Sequence, residues 1–148
     1  MSQLLAVLDT NVVLDLFVWD NPVAEPLRQV IREGALCCLS DPDCLAELAR
    51  VLNYPKLGLD PQAQTDIHAR YTSLCRVVPS EPASHASPIL PRCSDRDDQK
   101  FLTLAVRARA DYLLTRDNAL LKMSKRIKPF APQLAILTPS AKIAALQA

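Results

Sequence analysis

Glycine is nearly missing from this chain of 148 residues, which has two, Gly34 and Gly58. The G-x-G-x-x-G and P-loop phosphate cradles and the G-x-S-x-G elbow each need glycine where backbone turns sharply or a phosphate comes close. Dinucleotide binding of the Rossmann type, Walker-type nucleotide hydrolysis and elbow-type acyl hydrolysis are thereby excluded. Histidine is as scarce, with His68 and His85 alone, so the H-E-x-x-H zinc motif is excluded as well. His68 falls in a polar helical stretch and His85 in a Pro/Ser-rich one, and both are expected to be solvated. None of the five cysteines, at 37, 38, 44, 75 and 93, has the C-x-x-C spacing of a zinc or redox site. Most lie in apolar segments, as small buried hydrophobes do. Their odd number, with no signal-peptide pattern at the start, predicts a reducing cytosol. No apolar run reaches the roughly 18 residues of a membrane span. Aromatics, at 5%, are too few for a base-stacking platform.

A length of 148 residues suits one domain, here 1–148, large enough to bury a core. Seventeen Lys and Arg against 16 acids leave a net charge of +1, so the global balance favours no class of partner. The patterning is more informative. Leu4 to Leu8 is a bounded apolar run, read as a buried strand, and it ends in Asp9-Thr10-Asn11. A short helix is expected over Asn11–Val18, with Val12, Leu16 and Trp19 near one face. Asn21-Pro22, Asp41-Pro42 and Asp60-Pro61 each pair a capping side chain with a proline suited to the first helical turn. They predict helices over Pro22–Glu33 (stripe Val23, Leu27, Val30, Ile31), Pro42–Asn53 (Leu45, Leu48, Ala49, Leu52) and about 60–76. Gly34 closes the first of these.

Ala35–Ser40, Tyr112–Thr115 and Leu134–Leu137 read as further strands, and Cys75–Val78 as a short edge strand. Pro79 to Cys93 is proline- and serine-rich loop. Ser94 leads into an amphipathic helix carrying Phe101, Leu102, Ala105 and Val106. A short helix holds Leu120 and Leu121, and Thr138-Pro139 caps a last Ala-rich one. Strands alternating with helices predict an α/β fold with three α/β/α layers and a mostly parallel sheet of four to five strands.

Four carboxylates break the pattern. Asp9 and Asp117 each close an apolar strand (AVLDTN, YLLTRD), and open α/β sheets bind ligands at the carboxyl ends of their strands. Either alone would more often be a cap or turn residue, and it is the pair that points to a shared site. Asp98 shares a helix face with Phe101, Leu102 and Ala105, where an uncompensated charge is costly; Asp95 and Asp97 compete with it for the role. Glu47 borders the apolar side of its helix, where a salt bridge to Arg28 or Arg50 would also account for it. Crowded carboxylates repel one another unless a cation sits among them. All-oxygen ligation, with usable histidine and cysteine lacking, points to Mg²⁺ or Mn²⁺ rather than zinc. Basic residues lie close by: Arg96 and Lys100 flank Asp98, Arg116 adjoins Asp117, and Lys122, Lys125, Arg126 and Lys128 follow. Phosphate contact and an ordinary solvated face both fit them.

VLDTNVVLDLF, DPDCLAELARVL and SDRDDQKFLTLAVRARADYLLTRDNALL resemble the acidic motifs of the PIN-domain ribonucleases, particularly the toxin halves of toxin–antitoxin pairs. The resemblance runs from about residue 4 to the closing ILTPSA. It implies a PIN-like fold and metal-dependent cleavage of RNA, with Asp9, Glu47, Asp98 and Asp117 as the catalytic, metal-binding set. It implies supporting roles for Asn11 beside Asp9 and for Thr115 before Asp117, with substrate phosphates met by Arg96, Lys100, Arg116 and Lys122. A small antitoxin and a homodimer are implied as partners. Many members have glycine where this chain has Arg109-Ala110. Two rival readings are a receiver-like phosphoacceptor domain and a catalytically silent nucleic-acid-binding module. The receiver pattern of paired acids after the first strand and a lysine closing a late strand is absent: Asp9 stands single, and Leu134 to Thr138 ends without lysine.

Overall fold

The computed structural model describes residues 3–79 and 90–139. Five parallel strands form one sheet: β1 (Leu4–Leu8), β2 (Leu36–Ser40), β3 (Arg76–Val77), β4 (Tyr112–Leu114) and β5 (Ala135–Leu137), ordered β3-β2-β1-β4-β5. Parallel neighbours require crossovers. Helices α1 (Thr10–Phe17) and α2 (Glu25–Arg32) lead from β1 to β2, and α3 (Pro42–Leu52) and α4 (Pro61–Leu74) from β2 to β3. Helix α5 (Gln99–Arg107) precedes β4, and α6 (Asn118–Leu121) lies between β4 and β5. The order is not the 2-1-3-4-5 of receiver-like domains. No helix among the described residues is long and apolar enough to cross a membrane.

The three-layer expectation holds, and β1 shows why. Successive strand residues point to opposite faces. Ala6 and Leu8 enter one core with Leu36, Cys38 and Leu114, covered by α1 to α4. Val7 enters the other with Leu39, Leu113 and Ile136, covered chiefly by α5, α6 and the turns after it. A strand buried on both sides reads as a continuous apolar run, as Leu4 to Leu8 does.

Several local expectations are corrected. The segment from Pro22 is a 3₁₀ turn (Pro22–Ala24) followed by α2, because Pro26 has no N–H to continue an α-helical ladder. Val23 is consequently 63% exposed, and Trp19, past the end of α1, is 49% exposed. The Ser94 segment likewise divides into a 3₁₀ turn (Arg96–Asp98) and α5. On α3, Cys44 replaces Ala49 on the buried face. His68 is half-buried rather than solvated: its Nε2 lies 2.9 Å from the Leu45 carbonyl and ties α4 to α3. His85, most of the 79–93 loop and nearly all of the last helix fall outside the described residues.

Arg109 stands at the place where the resemblance predicts glycine. Helix α5 ends in a Schellman motif, with Ala110 N–H donating to Ala105 O at 2.9 Å and Arg109 N–H to Val106 O at 3.2 Å. The motif puts Arg109 at φ +55°, the left-handed region that favours glycine. Helix α2 ends in the same motif with Gly34 at φ +77°.

Candidate active site

The sheet order reverses between β1 and β4, since the chain proceeds from β1 outward through β2 and β3, then returns to β4 on the other side. Crevices at such switch points, beyond the carboxyl ends of the strands, are where open α/β sheets bind ligands. Asp9 directly follows β1 and Asp117 lies three residues past the end of β4. Asp98 arrives from the 3₁₀ turn before α5, which packs on both strands. One ligand atom from each of Asp9, Asp98 and Asp117 can be chosen so that all three lie within 4.8 Å of one another.

Asp9 occupies the N-cap position of α1 yet makes no side-chain cap bond. Its Oδ2 instead accepts a hydrogen bond from Thr115 Oγ1 at 2.7 Å. That hydroxyl also accepts from the Asp117 N–H at 2.9 Å, so the fully buried Thr115 ties the Asp9 carboxylate to the Asp117 backbone. Asp117 does cap α6, its Oδ1 accepting from Ala119 N–H at 2.9 Å, which leaves Oδ2 for the cluster. The three acids before α5 separate cleanly. Asp95 caps the 3₁₀ turn through Asp97 N–H and, like Asp97, is exposed. Asp98 is buried, and its Oδ2 has no hydrogen-bond partner among the described residues.

Burial pushes the Asp98 carboxyl up to about 8, aided by hydrogen bonding with Asp117 and by the charges of Asp9 and Asp117. Asp9 is also raised, first by burial and then by the charges of Glu47 and Asp117, with the Thr115 hydrogen bond opposing. Among the described residues no Lys, Arg or His forms an ion pair with any of the three. Three clustered carboxylates without a cation, one with an orphaned buried oxygen, are the donor set a hard divalent ion takes.

Glu47 is not one of the three. Its Oε2 accepts from Thr10 Oγ1 at 2.5 Å and its Oε1 from Lys100 Nζ at 2.6 Å. Its ion-pair partner is therefore Lys100, while Arg28 pairs with Asp20 and Glu25. Asn11 is exposed and forms no hydrogen bond with Asp9 among the described residues. Arg116 is held by the buried Asp15 through Nε–Oδ2 at 2.9 Å and Nη2–Oδ1 at 3.1 Å, which makes it a structural partner of α1. Arg96 and Lys122 are exposed. Sequence reasoning passed over Thr10 and Asp15. Asp15 carried a readable signal, since it lies three residues after the buried Val12, as Asp98 does before Phe101. Thr10 carried none beyond its place beside Asp9.

The chain matches the family described as PIN domain over residues 5–119, well over half its length, and Asp9, Glu47, Asp98 and Asp117 all fall inside that span. No curated protein matches it.

Proposed function

The chain belongs to the PIN-domain family, whose members are generally nucleases, and from that premise we propose that it is a divalent-metal-dependent endoribonuclease. The observation that carries this reading is the trio of carboxylates at the sheet's switch point, with no cationic side chain paired to them and the buried Asp98 Oδ2 unpartnered among the described residues. Asp9, Asp98 and Asp117 would hold Mg²⁺ or Mn²⁺, all-oxygen donors suited to either. Such an ion supplies Lewis-acid charge, which eases deprotonation of an attacking water and stabilises charge developing on a phosphodiester.

The chain's own residues do the rest. Thr115 orients Asp9 and fixes its distance from the Asp117 backbone, the kind of outer hydrogen bond that tunes a liganding carboxylate. Asp117 is held by capping α6. Glu47 assists from beside Thr10 and Lys100. Exposed Arg96 and Lys122 meet substrate phosphates, with a sequence-independent and salt-sensitive contribution to affinity. Lys100 and Arg116 are each engaged with a carboxylate, which partly neutralises the charge they present to a phosphate.

RNA as substrate and the role of toxin in a toxin–antitoxin pair rest on the resemblance of the VLDTNVVLDLF opening to such toxins. In that reading the whole chain is one PIN-like unit, cytoplasmic in keeping with its free cysteines. It dimerises with a second copy and is held inactive by a small antitoxin. The test is cleavage of labelled RNA by the protein and its Asp9→Asn variant, each with Mn²⁺, with Mg²⁺ and with chelator. Metal-dependent cleavage that the variant loses supports the proposal. Identical traces from both proteins would refute it.

A further inference from the structure

Glu47 and Lys100 form a unit beside the three-carboxylate cluster rather than part of it, and its construction bears on how many ions the cluster takes. Both Glu47 oxygens are in short hydrogen bonds, one with the Thr10 hydroxyl at 2.5 Å and one with the Lys100 ammonium at 2.6 Å. The pair is mostly shielded, with side-chain exposures of 13% for Glu47 and 21% for Lys100, so water weakens its attraction less than at an open surface. Both partners come from the chain segments that carry the cluster. Thr10 follows Asp9 in the chain, and Lys100 lies two residues after Asp98. The charge of Glu47 is felt at Asp9, so Glu47 is an acid beside the cluster, yet its own charge is already met by an ammonium on a neighbouring helix.

We infer that the Lys100 ammonium stands in for a second divalent ion beside Glu47, so that the centre takes a single ion on Asp9, Asp98 and Asp117. The inference rests on the metal-centre reading above. Three carboxylates carry a formal charge of −3, which one divalent ion brings to −1, while Glu47 and Lys100 cancel. Without Lys100 the same region would hold a fourth, uncompensated carboxylate. A carboxylate whose charge already acts on Asp9 would, once freed of its ammonium, add the negative charge that draws a further hard divalent ion. A pair that merely ties α3 to α5 would leave the ion count unchanged when broken. The two roles therefore differ in a quantity that can be measured without turnover.

The experiment counts Mn²⁺ per folded chain by electron paramagnetic resonance of the free ion and by calorimetry, with circular dichroism confirming the fold. The native chain is expected to bind one ion. Lys100→Met is expected to bind two, and Lys100→Met combined with Glu47→Gln one again. Because the double variant removes the pair as a neutral unit, its remaining Kd should stay within about fivefold of the native value. Should Lys100→Met fold poorly, Lys100→Gln serves, since its amide still donates to Glu47 without a charge. Two ions in the native chain would overturn the inference alone, and so would a count of one in the folded lysine variants. No binding by the native chain would overturn the metal-centre reading and this inference with it.

Discussion

Replacing Asp98 by asparagine should make the metal-free protein more stable at neutral pH, although it removes a residue placed at the centre of the site. The folded carboxyl is pushed from 3.8 up to about 8, first by burial, so between those values the folded state binds a proton that the unfolded chain releases. Stability then falls as pH rises through that window, by up to about 1.4 kcal/mol per pH unit. The accumulated cost is on the order of a few kcal/mol at pH 7 and clearly smaller at pH 5. Asparagine removes the titration but leaves a buried amide imperfectly paired, at a cost of about 1–3 kcal/mol. The net expectation is a gain of about 2 kcal/mol at pH 7 that shrinks to about zero at pH 5. Urea unfolding with chelator, followed by circular dichroism at both pH values, measures it. Adding Mn²⁺ should stabilise the native chain and leave Asp98→Asn largely unmoved. A variant less stable than native at pH 7, or a difference that is the same at pH 5 and pH 7, would refute the reasoning.

Arg109→Gly should raise stability by about 0.5–1 kcal/mol, a rise in Tm of about 2 °C, since glycine relieves the positive φ at an exposed residue. Unfolding the two proteins side by side checks this, and a loss of stability would show the motif to be unstrained. Arg116→Ala should cost about 1–3 kcal/mol by leaving Asp15 buried and unpaired. Lys122→Ala, at an exposed residue, should leave stability within about 0.5 kcal/mol while weakening RNA binding and lowering its salt slope by about one. Melting curves and salt titrations of binding separate the two; the reverse pattern would show that Arg116, not Lys122, meets the phosphate.

Helix starts and strand centres were legible because they depend on neighbours in the chain. Asn21, Asp41 and Asp60 accept hydrogen bonds from backbone N–H groups two or three residues on, and such local bonds are written in residue order. Helix interiors were less so. Pro26 divided one expected helix in two, and a sequence stripe did not distinguish the exposed Val23 from the buried Leu27. The three acids before α5 were ambiguous for a related reason. Any of them could begin a helix, and only the packing of α5 on β1 and β4 buries Asp98 while leaving Asp95 and Asp97 in solvent.

By itself the sequence determined an α/β fold with β1 buried on both faces, and it marked Asp9, Glu47, Asp98 and Asp117 as acids in places that need explaining. Burial on two sides demands an unbroken apolar run, and an acid beside such a run is visible in one dimension. Tertiary structure alone decided the company those acids keep. Thr115 reaches Asp9 across 106 residues of chain, Arg116 reaches Asp15 across 101, and Lys100 reaches Glu47 across 53. The physical reason is that a charged side chain buried by folding takes whatever partner the packing brings within about 3 Å, and strand order, not residue spacing, sets which partner that is.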